Sequence, residues 1–355
     1  MKKILLAAAV AMMTAMTANA QRIRVVDSEG QVIPFVTILN AEGSMIGTTD
    51  VEGMSEDLQG AGRVTLSHVA FKPKSVNVTS DGQQVTLEDA EYTMPEISVA
   101  PKPYTYLQVY YRVVMIREDG VLYYRAGLVD NFYNEAKGKQ ESMKQHFSKS
   151  VSGLKMAGDL VVGYIVDNRA KIRVKPVEQS LTDRYKGQGL QIASQDDGKK
   201  LISDNYGTLG SITDREGQRR ISFDYYLATL HEMEAESKTR KAEKMKKMDA
   251  KAKNAVRSSY LAYSIDESGS YRPEDFLMEQ HLYSGDYEKY GHCLFVMDFF
   301  ATDRSYVTKE GMKQIKQDSK TKMSYAWAQQ FEREHNIPAL APEILDKVKG
   351  MAEGR

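Results

Sequence analysis

Residues 30–72 read GQVIPFVTILNAEGSMIGTTDVEGMSEDLQGAGRVTLSHVAFK, and this stretch decides the fold of the first part of the chain. It holds runs rich in β-branched and aromatic residues at 35–39, 45–49 and 64–69, separated by glycine-containing turns. Further short strand patterns lie at 22–26, 54–58, 76–78 and 85–87. Short strands that recur every 8 to 12 residues or so, with turn signals between them, are typical of a β-sandwich. We therefore predict a sandwich over residues 21–99.

The blocks 30–38, 47–54 and 64–72 resemble the carboxypeptidase regulatory-like domain, a transthyretin-like β-sandwich common in exported Bacteroidetes proteins. Two positions depart mildly from the family pattern, which usually has an aromatic at Met54 and a glycine at Ala70. The resemblance implies a non-catalytic accessory module, which in family members precedes outer-membrane receptors, peptidases or proteins of unknown role. The receptor class is excluded, because about 250 remaining residues cannot build a plugged barrel of roughly 22 strands.

The first twenty residues have the pattern of a signal peptide. Lys2 and Lys3 precede an apolar run at 4–13, and small residues then lead to Ala18-Asn19-Ala20. This A-x-A pattern predicts cleavage before Gln21 and export to the periplasm or the outer membrane. No later run of apolar residues is long enough for a transmembrane helix, so we expect none in the mature chain.

The composition limits the classes of partner and the covalent cross-links. The chain has 48 basic and 48 acidic residues, which gives no general attraction to nucleic acid. Its single cysteine, Cys293, cannot form an internal disulfide. Cys293 lies in the apolar run HCLFVMDFF, so we interpret it as a small buried hydrophobe rather than a reactive thiol.

Residues 94–103 contain three of the nine prolines and are interpreted as a connector. Residues 100–355 then form a second, tyrosine-rich domain. The segments 106–117 and 121–132 flank Asp119-Gly120 and predict an antiparallel hairpin. The apolar run 294–300 predicts a central buried strand. Other strands are expected at 144–151, 159–166, 171–174, 190–194, 218–225, 259–265 and 278–283.

Helices are expected at 226–257 and at 342–349. A short helix is expected to begin with Thr308 as its N-cap. Another is expected at 324–335, with Trp327 and Phe331 on one face. The fold class is therefore mainly β, a sandwich followed by an α+β domain with a large antiparallel sheet. We expect the tyrosine rings to pack in the sheet while their hydroxyl groups stay in water. The basic segment 238–253 is either a solvated helix face, which we favour, or a contact for an anionic partner such as lipid headgroups.

Serine-based catalysis has partial motifs. Ser152 and Lys155 fit S-x-x-K, and Ser203-Asp204-Asn205 fits S-D-N, as in penicillin-binding proteins. No K-T-G follows, and the context of Ser152 is strand-like and polar rather than helical.

Metal sites have weaker signals. His231-Glu232 lacks the second histidine of a zincin, because position 235 is Ala235. His68 is a single histidine on a strand, which is more often packed than ligating. The acidic residues of 266–275 lack the ligand spacing of a calcium loop. We predict no catalytic residue, no metal ligand and no cofactor.

The sequence thus predicts an exported, non-enzymatic protein of the cell envelope that binds a partner. One alternative is a periplasmic carrier of a lipid or another apolar ligand, since a curled antiparallel sheet can enclose such a molecule. A weaker alternative is a serine acyl-transferase of the penicillin-binding type. The expected partners are an envelope protein or a lipid, and the sequence does not define the oligomeric state.

Overall fold

A computed structural model describes residues 20–58, 60–92, 103–117, 119–147, 151–152, 170, 175–195, 198–235, 257–266, 269, 271–287, 291–318 and 324–353. The protein is mainly β, as predicted, with one large antiparallel sheet and several helices. The expected signal peptide and most of the proline-rich connector lie outside the described residues, as do the strands expected at 159–166 and 171–174 and the basic segment 238–253.

Six short strands form the first part of the chain. They are β1 (Ile23–Val26), β2 (Thr37–Leu39), β3 (Met45–Thr48), β4 (Arg63–His68), β5 (Phe71–Asn77) and β6 (Gln83–Thr86). Four of them make an antiparallel sheet in the order β3-β2-β4-β5, while β1 and β6 pair in parallel. Val25, Ile38 and Leu66, from both sets of strands, are fully buried in one cluster. The structure thus has two small sheets in this region, and their arrangement as a β-sandwich stays a prediction.

Two expectations in this region are wrong in detail. Residues 54–58 do not form a strand, because only Met54 makes a bridge, to Arg24. The second strand begins at Thr37 rather than at residue 35. Phe35 has a φ of 61°, which takes its backbone out of the extended region.

The second part is built on an eleven-stranded sheet. Its strands are β7 (Tyr104–Arg117), β8 (Gly120–Asn134), β9 (Lys139–Phe147), β10 (Val151–Ser152), β11 (Gln191–Ser194), β12 (Lys200–Ser203), β13 (Thr208–Arg215), β14 (Gln218–Asp224), β15 (Arg257–Ser264), β16 (Phe276–Tyr287) and β17 (Gly291–Val307). The order is β10-β8-β7-β17-β16-β15-β14-β13-β12-β11, and β9 also pairs with β8. The β7–β8 hairpin and the central position of β17 are confirmed.

Both faces of the central strands are buried. On β7, Tyr110 and Val114 belong to one apolar cluster, whereas Tyr111 and Val113 belong to another. Successive strand residues point to opposite faces, so the two clusters lie on the two sides of the sheet. This is why the sequence of β7 and β17 reads as a nearly continuous apolar run instead of an alternating pattern.

Among the residues that the structure describes, five α-helices accompany the sheet: α1 (Val177–Arg184), α2 (Tyr225–Ala235), α3 (Lys309–Asp318), α4 (Tyr325–Glu334) and α5 (Pro342–Glu353). The first face of the sheet, which carries Tyr110, packs against the N-terminal strands, α4 and α5. The second face, which carries Tyr111, packs against α1 and α2. Thr308 accepts an N-cap hydrogen bond at α3, as expected, and Ser324 accepts one at α4.

The sequence did not indicate α1, β12 or β13. α1 has a weak apolar face, with only Val177 and Leu181 buried. β13 contains Gly210, which normally marks a turn or a bulge in a strand pattern. Here a Cβ at Gly210 would lie 2.0 Å from the Ser222 carbonyl oxygen of β14, so the position requires glycine for close approach of two strands.

The expected solvation of the tyrosine hydroxyl groups is wrong for the central strands. Tyr110, Tyr111, Tyr123 and Tyr124 are all at most 2% exposed. Because both faces of the sheet are covered at these positions, the four side chains are shielded from water. The Tyr110 hydroxyl instead donates to Glu332 at 2.8 Å.

A buried charge network joins the first face to α4. The Arg112 guanidinium donates from Nε to Asp298 Oδ2 at 2.8 Å and from Nη1 to Glu332 Oε1 at 3.3 Å. Gln280 donates to the other oxygen of Asp298 at 2.8 Å. Strand register places Arg112, Asp298 and Gln280 side by side on β7, β17 and β16. Removing one member of such a buried network leaves another charge without its partner in surroundings of low polarity.

We therefore expect Arg112→Met to lower the free energy of unfolding by about 3 to 5 kcal/mol, because Asp298 and Glu332 would lose their counter-charge. Urea unfolding measures the change. The control is Arg22→Met, which breaks a pair with Asp81 whose side chains are 48% and 41% exposed. That substitution should leave the free energy of unfolding nearly unchanged, because water screens this exposed pair. Equal losses in the two variants would contradict a stabilising role of the Arg112 network.

Candidate functional site

A cleft of about 880 Å³ lies between the N-terminal strands, the first face of the large sheet and the loop between α4 and α5. Its volume is within the range of small-molecule sites, roughly 300 to 1,000 Å³. We call it the wide cleft. The residues that line it are Ala70, Lys72, Asp89, Ala90, Glu91, Tyr92, Glu216, Gln218, Arg220, Tyr260, Met278, Gln329, Glu332, Arg333, Asn336, Ile337, Pro338, Ala339 and Leu345.

A second cavity, of about 170 Å³, shares Arg220 and Tyr260 with the wide cleft. We call it the narrow cleft. Strand register brings Tyr260 of β15, Ser222 of β14 and Ser211 of β13 side by side on its sheet wall. The opposite wall comes from the N-terminal strands and their loops. The residues that line it are Asp27, Glu29, Gln31, Val32, Ile33, Pro34, Phe71, Gly198, Lys199, Ser211, Thr213, Asp214, Arg215, Arg220, Ser222 and Tyr260.

Ion pairs fasten the two walls at the narrow cleft. Arg215 lies 3.2 Å from Asp27 and 3.0 Å from Glu29, and it also lies 3.2 Å from Asp89. Arg220 Nη1 donates to Asp89 Oδ1 at 2.9 Å. The side chains of Arg215 and Asp27 are 18% and 8% exposed, so water screens this pair less than it would a surface pair. The large sheet supplies both arginines, and the loops that follow β1 and β6 supply all three carboxylates.

Tyr260 forms the boundary between the two clefts. Its ring packs edge-on against buried His68 of β4, with the ring centroids 4.6 Å apart. The buried Tyr260 hydroxyl has no hydrogen-bond partner among the described residues. Burial raises the pKa of Tyr260 to about 12, so the hydroxyl keeps its proton at neutral pH and can donate.

His68 is a buried, packed residue. Its Nδ1 accepts a hydrogen bond from the Ala70 amide at 3.2 Å, and its ring also lies 5.3 Å from that of Phe71. Burial, together with the positive charge of Arg220, lowers the pKa of His68 to about 3. The imidazole is therefore neutral behind Tyr260.

The two serine motifs lie far apart in the sheet. Ser152 is in β10 and pairs with Tyr123, so it occupies a strand and not the helix that an S-x-x-K serine requires. Ser203 is in β12, eight strand positions away in the sheet order. At a spacing of about 4.8 Å per strand, the separation along the sheet is about 38 Å. Lys155 lies outside the described residues. This placement gives no support to an acyl-transferase site.

His231 of α2 pairs with Asp204, whose Oδ2 lies 2.8 Å from His231 Nδ1. The Asp204 carboxylate also accepts hydrogen bonds from the backbone amides of Tyr206 and Gly207. The pair thus ties α2 to the turn after β12. Within the part of the chain that the structure describes, no group of three or more histidine, cysteine or acidic side chains could hold a metal ion. Cys293 is fully buried in β17, as predicted.

Sequence reasoning missed the residues of the two clefts. Arg220 and Tyr260 belong to ordinary strand patterns, and nothing in their spacing distinguishes them from surface residues. Arg215 lies on β13, which the sequence did not indicate. The acidic partners Asp27 and Asp89 lie more than a hundred residues away along the chain. One available signal was the pair of adjacent arginines, Arg219 and Arg220. Adjacent side chains of a strand point to opposite faces of the sheet, so at least one of the two must lie on a covered face if the sheet is covered on either side.

Comparisons with known proteins do not assign the chain to a family. No protein-family model matches it, and no curated protein matches it. The resemblance of residues 30–72 to the carboxypeptidase regulatory-like domain therefore stays a prediction based on the motifs themselves. Among the described residues, no helix is long and apolar enough to cross a membrane.

The depressed pKa of His68 predicts a pH dependence of stability. The unfolded chain binds a proton at this histidine below about pH 6.5, whereas the folded protein does so only near pH 3. The contribution of neutral His68 to the free energy of unfolding is thus fully present above about pH 6.5, and it is lost as the pH falls toward 3.

Between pH 6.5 and 5, wild-type protein should lose about 2 kcal/mol more free energy of unfolding than His68→Phe, which cannot titrate at this position. Urea unfolding at the two pH values measures this difference. Between pH 7 and 8 the two proteins should respond equally, because His68 is neutral in both states. Parallel curves from pH 7 to 5 would contradict a buried neutral His68.

Proposed function

We propose that the protein is an exported, non-enzymatic binding protein of the cell envelope, and that its ligand binds in the wide cleft. The observation that carries this proposal is the cleft of about 880 Å³ whose walls come from two separate parts of the chain. Ligand sites in proteins prefer such junctions, because two rigid walls create a concave surface that neither wall has alone.

The lining of the wide cleft favours a polar or amphipathic ligand. Seven of its nineteen lining residues are charged. Apolar contacts come from Met278 at the base and from Ile337, Pro338 and Ala339 in the loop between α4 and α5. A purely apolar lipid chain would have to desolvate the charged groups without replacing their hydrogen bonds, which costs free energy. The lining therefore favours a binding protein over the alternative of a lipid carrier.

The base of the wide cleft is preorganised. Glu332 lies in its wall, and both Arg112 and Tyr110 hold this carboxylate from below. The α4 helix that carries Glu332 packs on the sheet through Phe331, whose ring stacks on Tyr110 at a centroid distance of 5.2 Å. A ligand would meet a fixed surface, which limits the ordering cost of binding.

Export rests on the A-x-A pattern, and the contacts of Gln21 are consistent with a chain that begins there. The Gln21 amide nitrogen donates to Asp57 at 2.8 Å, and the Gln21 carbonyl accepts from Leu58 at 3.0 Å. After cleavage this nitrogen would be an ammonium group beside the Asp57 carboxylate, which strengthens the hydrogen bond.

N-terminal sequencing of the protein from the envelope fraction should therefore begin at Gln21. Ala18→Phe puts a large residue into the A-x-A pattern and should leave the chain unprocessed. Uncut wild-type protein, or wild-type protein retained in the cytoplasm, would contradict export.

The binding site can be tested by closing the wide cleft. Ala339 is exposed on its rim, and Ala339→Trp should fill part of its volume without disturbing the core. The matched control is Ala136→Trp, in the exposed turn between β8 and β9. Native mass spectrometry of protein purified from its own envelope should show a bound species in the wild type and in Ala136→Trp. At least tenfold less should remain in Ala339→Trp, since a steric clash in the site costs well over 1.4 kcal/mol.

Equal occupancy in the two tryptophan variants would contradict the wide cleft as the binding site. A catalytic turnover in a broad screen of periplasmic substrates would contradict the non-enzymatic assignment. The two results are independent, so each tests a separate part of the proposal.

A further inference from the structure

Three buried hydrogen-bond donors without acceptors among the described residues line the two clefts. Arg220 Nε and the Tyr260 hydroxyl are buried and have no hydrogen-bond partner in the described part of the chain. Both residues line the narrow cleft and the wide cleft. Arg215 Nε, on the wall of the narrow cleft, has no hydrogen-bond partner there either and lies 3.9 Å from a carboxylate oxygen of Glu216.

Such groups are rare because each one costs about 1 to 3 kcal/mol when it is buried without a partner. Two of the three are arginine N–H groups, which can only donate, and the third is a phenol that remains protonated at neutral pH. A set of this kind is complementary to a group that only accepts hydrogen bonds.

The charges of the residues that line the narrow cleft are balanced, which disfavours a ligand group with more than one negative charge. Three basic side chains line it, and three acidic side chains balance them. All three acidic groups are already in ion pairs: Asp27 and Glu29 with Arg215, and Asp214 with Arg219 at 2.6 Å. An incoming anion would therefore meet no unpaired carboxylate. A dianion such as phosphate would add more charge than this balanced lining compensates.

We propose that the junction of the two clefts is a carboxylate-binding site, in which Arg220 Nε and the Tyr260 hydroxyl donate to a carboxylate of the ligand. Arg215 Nε adds a donor from the side of the narrow cleft. The rest of the ligand lies in the wide cleft, next to Met278 and Ile337. This assignment rests on the proposed function and names the chemical class of its ligand.

Tyr260 offers a precise test, because Tyr260→Phe removes only the hydroxyl. The ring keeps its edge-on contact with His68. The control is Tyr185→Phe, which removes another buried hydroxyl without a partner in the described residues, on the second face of the sheet. In the absence of ligand neither change should lower the melting temperature, since no hydrogen bond to the described residues is lost.

The probes are benzoate and acetate, their neutral counterparts benzamide and acetamide, and inorganic phosphate, each titrated at constant ionic strength into the mature protein. Thermal-shift titration gives the apparent dissociation constant of each probe. We expect the carboxylates to bind at least tenfold more tightly than the matching amides. Tyr260→Phe should weaken carboxylate binding about tenfold, the effect of one hydrogen bond to a charged group, and Tyr185→Phe should leave it unchanged.

A second pair of variants tests the arginine donor. Arg220→Lys keeps the positive charge beside Asp89 but removes the Nε hydrogen, so carboxylate binding should weaken about tenfold. Arg219→Lys, one position along β14, is the control, because Arg219 pairs with Asp214 and Glu178 and lines neither cleft. It should bind the carboxylates as the wild type does.

Several outcomes would overturn the carboxylate site. They are equal binding of amides and carboxylates, tighter binding of phosphate than of either carboxylate, and undiminished carboxylate binding in Tyr260→Phe and Arg220→Lys. If the carboxylates fail while Ala339→Trp loses the native ligand, the proposed function stands and its ligand class is wrong. If the carboxylates bind while Ala339→Trp keeps the native ligand, the wide cleft is wrong and the donor site remains.

Discussion

The eleven-stranded sheet has two apolar faces, and the rest of the structure follows from the need to cover both. Burial of apolar surface is the main favourable contribution to folding, and a sheet with a solvent-exposed apolar face is not stable alone in water. The helices α1 and α2 cover the second face. The first face is too wide for α4 and α5, so the N-terminal strands complete its cover. The two parts of the chain consequently share one apolar cluster.

Covering the first face also fixes the polar groups that lie on it. Arg112 and Asp298 are nearly inaccessible to water, and such charges are tolerated only when they are paired and hydrogen-bonded. Glu332 completes the set from α4, so this helix is positioned by charge as well as by its aromatic contacts. The same row of the sheet continues through Gln280, Tyr260, Ser222 and Ser211, where the cover changes from α4 to the N-terminal strands.

The two clefts lie where the elements packed on the first face of the sheet change from α4 to the N-terminal strands. The junction of the large sheet and the small N-terminal sheets leaves a cleft with several charged lining residues and some apolar ones. Arg215 and Arg220 hold the walls together through Asp27 and Asp89, and the Nε atom of each arginine is buried without a hydrogen-bond partner among the described residues. The same arginine side chains thus join the N-terminal strands to the large sheet and belong to the proposed binding site. A ligand that engages Arg220 would therefore also affect how firmly the N-terminal strands are held.

Much of the fold follows from local sequence. The turn at Asp119-Gly120 and the apolar runs on either side determine the β7–β8 hairpin, and the caps Thr308 and Ser324 determine where α3 and α4 begin. These features depend on residues that are near each other along the chain, so they can be recognised without a structure. The pattern failed where tertiary contacts override it, as at Gly210, where strand proximity and not a turn requires glycine.

The candidate site, in contrast, was decided by tertiary structure. Its carboxylates lie in the loops that follow β1 and β6, and its arginines lie on β13 and β14, more than a hundred residues later. The sequence indicated β1, β6 and β14 as strands but did not indicate β13. Only the packing of one segment on the other decided that those polar residues meet, and that Tyr260 is buried where it lines both clefts. The reason is physical, since burial and ion pairing depend on distances through space that local sequence does not encode.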